Sequence, residues 1–146
     1  MRRKSIALIA IVAIAVVATT MGAISLLQSP PELSIELNPS PPINVKQGGE
    51  FSIDISVRNK AGLFITEAIN VRGELELPEG FIEKALQTST RQLIFGGINA
   101  GDASHYGLTI IALNTVEMGE YHAELTVWGA NIPTETIDIE ITVLAK

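Results

Sequence analysis

From residue 33 onward the chain repeats one pattern, in which apolar and polar side chains alternate. Leu33, Ile35 and Leu37 are separated by Ser34 and Glu36. Phe51, Ile53, Ile55 and Val57 alternate with Ser52, Asp54, Ser56 and Arg58. The same period runs through Ile69, Val71, Gly73, Leu75 and Leu77, then through Tyr106, Leu108, Ile110 and Ala112. It returns in Tyr121, Ala123, Leu125 and Val127, and in Ile137, Ile139, Ile141 and Val143. A period of two lays one apolar row along one face of an extended strand, whereas a helix needs spacings of three and four. With a shorter strand over residues 92–95, this predicts an all-β, seven-stranded antiparallel sandwich. Turns fall where they should, at Gln47 to Glu50, at Asn99 to Asp102 and at Gly129 to Pro133. In residues 81–90, the spacing of Phe81, Ile82, Ala85 and Leu86 suits either one helical turn or a cover over the open end of the core.

Ahead of the alternation lies a different signal. Residues 5–27 contain no ionisable side chain and follow Arg2, Arg3 and Lys4. As a helix rising about 1.5 Å per residue they would span about 34 Å, enough for a hydrocarbon core of about 30 Å. Basic flanks stay on the cytoplasmic side, so the rest of the chain is expected to be extracytoplasmic. A cleaved leader is the other outcome, with Val16 and Ala18 as the recognition pair. The apolar character continues through Met21, Ala23, Ile24, Leu26 and Leu27, which favours an uncleaved anchor. The expected organisation is a signal anchor or signal peptide over 1–27, a proline-rich linker with the first strand over 28–42, and the sandwich over 32–146. Pro30, Pro31, Pro39, Pro41 and Pro42 would hold the domain slightly off the bilayer.

Beyond residue 27 there are seven basic and sixteen acidic residues, a net charge of −9. Such a surface repels nucleic acid and anionic lipid. Cysteine is absent, which removes disulfides, thiolate metal sites and cysteine nucleophiles. His105 and His122 fall on strands expected in different sheets, so no shared metal site is expected. Ser104 and His105 are adjacent on a strand and point to opposite faces, so they cannot act as nucleophile and base. The pairs Glu74 with Glu76 and Asp138 with Glu140 lie on solvated strand faces with no apolar wall to shift a pKa. Asp102 alone falls far short of the six to eight oxygens calcium takes. Gly96, Gly97 and Gly101 lack the Lys and the helix of a phosphate loop. No catalytic residue, cofactor, metal or small-molecule substrate is expected.

Glu117, Gly119, Tyr121 and Ala123 stand at the spacing of the Asp, Gly or Ala, Tyr and Cys of the sixth immunoglobulin strand, whose tyrosine pins a corner. Val57, Arg58 and Asn59, then Val71, and then Leu77, Pro78, Glu79, Gly80 and Phe81 add to the likeness. Over residues 32–143 the chain resembles the Ig-like modules of bacterial and archaeal cell-surface proteins, of the cell-adhesion-related and conserved-repeat type. The tryptophan that antibody domains bury is missing, and Trp128 falls on the polar side of its strand. The resemblance implies a non-catalytic surface module for adhesion, spacing or assembly. Leu63, Phe64 and Ile65, in the loop after the second strand, are expected with Trp128 to form its partner-binding patch. Self-association or a protein partner is expected. Two rivals stand beside this reading. One is a secreted filament subunit whose Thr19 to Leu27 tail completes a neighbour's sheet, and the other is an accessory subunit of an envelope enzyme or transporter.

Overall fold

The computed structural model describes residues 28–146, so the apolar run and its expected helix lie outside the described residues. Among the described residues no helix is long and apolar enough to cross a membrane. The fold is all-β, with two sheets enclosing one apolar core. Its strands are β1 (Leu33–Asn38), β2 (Ile43–Lys46), β3 (Glu50–Asn59), β4 (Ala68–Glu76) and β5 (Phe81–Glu83). They continue as β6 (Thr90–Ile98), β7 (Ala103–Ala112), β8 (Gly119–Gly129) and β9 (Ile132–Leu144). One sheet has the order β1-β3-β7-β5 and the other β2-β9-β8-β4-β6.

Among the described residues nine strands are therefore present where the alternation predicts seven. The first addition, β2, is four residues long, too short for Ile43 and Val45 to write a period, yet both are buried. It pairs with β9 in parallel, so the sandwich is not wholly antiparallel. The second addition, β5, replaces the helical turn expected after Phe81. Phe81 is buried and pairs with Ala112, while Ala85 and Leu86 point to solvent and cover nothing. The Glu83 carboxylate accepts the N–H groups of Ala85 and Leu86 at 2.8 and 2.9 Å, which closes a tight loop where a helix would have continued.

One apolar assignment also moves. Ile69 is read as inward by counting from Val71, but it is 47% exposed. The ladder between β4 and β6 shifts register between Ala68 and Val71, and Asn70 takes a φ of 51°. This bulge puts one extra residue between two inward positions, so Ala68 and Val71 both face the core.

Successive strands from β1 to β8 alternate between the two sheets, and the β8–β9 hairpin is the single link between sequence neighbours that pair. The second proline cluster serves the first of these crossings, carrying the chain from β1 to β2. The directions of the strands sort the connections by end. Residues 28–32, the β3–β4 loop, the β6–β7 turn and the β8–β9 turn share the entry end, and the chain leaves at the opposite end after β9.

Candidate functional site

The β3–β4 loop is built on a buried asparagine. Asn59 closes β3 with no exposed surface, and its Nδ2 donates to the carbonyls of Thr66 at 2.8 Å and Ile98 at 3.0 Å. Its backbone N–H reaches the Asp102 carbonyl, and its carbonyl accepts from Gly101. One side chain thus ties the base of the loop to the end of β6, while the same residue's backbone holds the β6–β7 turn.

The incoming chain clamps the other side. Ser29 donates its N–H to the Phe64 carbonyl at 2.7 Å, and its own carbonyl accepts the Thr66 N–H at 3.1 Å. Lys60 holds Glu32 through both carboxylate oxygens, at 2.9 and 3.0 Å. Between these fixed points the chain turns at Gly62, against which Ile65 folds back so closely that a Cβ there would lie 3.0 Å from its side chain. The turn leaves Leu63 97% exposed and Phe64 48% exposed, with Ile65 half-buried. These three line a shallow depression with Gln28, Thr66 and Glu67.

Trp128 is not part of it. It lies half-buried on the outer face of the five-stranded sheet, opposite Arg72, which in turn is opposite Ile94. Of the four residues expected to make one patch, three sit on the loop tip and Trp128 on a cross-strand row of the sheet. Ile94, 71% exposed, was not singled out in the sequence, although the alternation of Leu93 and Phe95 turns it outward.

Further along the same outer face the charge is acidic. Glu76, Glu124 and Asp138 lie in register across β4, β8 and β9. His122 stands among carboxylates, its Nδ1 2.8 Å from Asp138 Oδ2. The hydrogen bond and the charge of Asp138, with Glu140 and Glu120 adding smaller parts, raise the His122 pKa above its ordinary 6.5. Because the folded value is raised, the pair stabilises the fold at pH below the ordinary value and loses that contribution as pH rises through the raised one. Asp138→Asn is expected to move the His122 titration to lower pH, read from its imidazole proton shifts; an unmoved midpoint would discard Asp138 as the cause. His105 lies on the other sheet, 3.4 Å from Asp54. Ser104 points inward and donates to the Phe95 carbonyl, away from His105. Among the described residues no three His, Cys, Asp or Glu side chains converge to hold a metal.

At the opposite end Tyr121 donates its hydroxyl to the Glu117 carbonyl at 3.0 Å, and its ring lies 5.2 Å from that of Phe81. Ala123 is buried two residues later. Tyr121→Phe is expected to cost about 1 kcal/mol, the usual net worth of one hydrogen bond, as measured by urea unfolding. An unchanged midpoint would leave the corner held by the ring alone.

One cleft measures about 110 Å³ and is lined by Pro31, Leu33, Val127, Ile132 and Pro133 beside Glu32 and Glu135. Small-molecule sites occupy about 300–1,000 Å³, so this one is a packing gap between β1 and β9. A broader open depression over Ser52, Asp54 and Thr109 lies on the four-stranded sheet.

No family model matches the chain, and no curated protein does. Among solved structures 207 chains match, and a shared architecture by itself says nothing about activity. One is a family 123 glycoside hydrolase from Clostridium perfringens, studied for glycolipid glycan hydrolysis, with a TM-score of 0.50 and 12% identity. The likeness covers 78% of this chain and 27% of that one, so this chain spans about a quarter of the enzyme's length. At that identity it is a likeness of fold.

Proposed function

We propose that the chain is a non-catalytic Ig-like module, anchored in a membrane by residues 5–27 and presented outside the cytoplasm for adhesion, spacing or assembly. The observation that carries this reading is the pairing of an uncharged run of transmembrane length, behind three cations, with a sandwich that the chain enters at one end and leaves at the other. Such a domain stands away from its point of attachment and offers its far end and its sheet faces to partners. The acidic row of Glu76, Glu124 and Asp138 suits a basic partner surface.

Mass spectrometry of the N-terminus on protein from a membrane fraction tests the anchor. A chain that retains Arg2 is expected, whereas a chain beginning at Thr19 would overturn the anchor in favour of a secreted subunit. Crosslinking followed by pull-down tests independence, since an envelope enzyme or transporter recovered in equal amount would make this an accessory subunit.

A further inference from the structure

The loop tip is fastened to Ser29, which follows the apolar run by two residues in the sequence. Ser29 is hydrogen-bonded on both sides to the β3–β4 loop, through the carbonyl of Phe64 and the N–H of Thr66. Covalent geometry keeps residue 27 within about 7 Å of Ser29, two residues at roughly 3.6 Å each. The polar layer on either side of a hydrocarbon core is about 5–7 Å deep. A loop tied to Ser29 therefore cannot stand clear of a membrane that the run crosses.

We propose that Leu63 and Phe64 insert into the bilayer interface beside the anchor and form a lipid-docking point that holds the sandwich upright, its C-terminal end outermost. The proposal rests on the anchored reading above. The tip is suited to lipid, because residues 61–66 carry no charge and the exposed pair is aliphatic and aromatic. Lys60, at the loop's base, is already neutralised by Glu32. Glu67 is the carboxylate in the depression, and the acidic row of the five-stranded sheet lies further along β4, β8 and β9. A protein partner is a poorer fit, since two projecting side chains are far fewer than the 20–30 residues a stable interface takes from each side.

The chain contains no cysteine, so single labelling sites can be introduced without background. The experiment uses the full chain in phosphatidylcholine vesicles, with a fluorophore on Leu63→Cys or, at the opposite end, on Met118→Cys, and nitroxide-labelled lipid as quencher. Both native side chains are well exposed, so neither substitution removes packing. Quenching at position 63 and none at 118 is the expected result, with the Phe64→Asp change weakening it while the backbone clamp to Ser29 remains. A chain that resists carbonate extraction yet shows no quenching at 63 would overturn the docking point and leave the anchor standing. Release by carbonate would overturn the anchor itself and the docking point with it. Shielding at 63 that depends on protein concentration, without lipid quenching, would assign the loop to a second copy and overturn the proposal.

Discussion

Replacing Phe81 by alanine is expected to cost about 3–5 kcal/mol, the range for deleting a buried aromatic ring. Phe81 is 1% exposed and occupies the first position of a strand only three residues long, so β5 has little else to hold it in place. Its backbone belongs to the four-stranded sheet and its ring meets Tyr121 of the five-stranded one, 5.2 Å between centroids and tilted by 58°. Removing it opens a void between the sheets and detaches an edge at once. The approach to it is rigid as well. Gly80 has a φ of +86°, and a Cβ there would lie 2.4 Å from the Val116 side chain, so the preceding turn is packed closely on Val116. Urea unfolding should show a lower midpoint at unchanged slope, the sign of lost stability without a change in the unfolded chain. Phe81→Leu, which keeps most of the volume, is expected to lose less than about 1.5 kcal/mol. A loss below 1 kcal/mol for the alanine variant would mean that the edge collapses onto the core unaided.

Asn59→Ala is expected to cost about 2–4 kcal/mol, because one buried and one part-buried carbonyl lose their donor and an unmet buried group costs about 1–3 kcal/mol. Asn59 Oδ1 has no partner among the described residues, so only the amide nitrogen contributes hydrogen bonds. Asn59→Asp is expected to do more damage, since it places an acceptor, and at neutral pH a charge, against the carbonyls of Thr66 and Ile98. The effect should be local before it is global. Amide exchange in residues 60–67 is expected to rise first, because the clamp from Ser29 then holds the loop from one side only. Exchange that accelerates evenly over the whole domain would refute this order.

Both sites show what the sequence could and could not say. Burial on one face writes a period of two, so the long strands around Ile53, Leu75, Leu125 and Ile141 could be read directly, and with them the all-β class. Short strands write no period, which hid β2. In β5 the spacing of Phe81, Ile82, Ala85 and Leu86 imitates a helix, and only the Glu83 carboxylate turning the backbone tells otherwise. Alternation counts residues and not ladder positions, so the bulge at Asn70 reversed Ile69 without a visible signal other than the asparagine itself. The partition of strands between sheets was beyond reach for a different reason, since each apolar row says which face is inward and nothing about the neighbour. Hence Trp128 could be given its outward face, but its cross-strand neighbour Arg72 could not be foreseen. Asn59 looked like any strand-terminal asparagine, because its importance lies in carbonyls 7 and 39 residues away.

The alternation of consecutive strands between sheets bears on the order in which this chain can become a domain. In the five-stranded sheet, β9 and β8 stand between β2 on one side and β4 with β6 on the other. A chain that stopped at Met118 would hold those two parts with nothing to join them, and limited proteolysis of such a truncation should find it open throughout. The keystone strands are made after every strand they join. Until β8 and β9 take their places, the five-stranded sheet therefore cannot close, whatever order the other strands settle in.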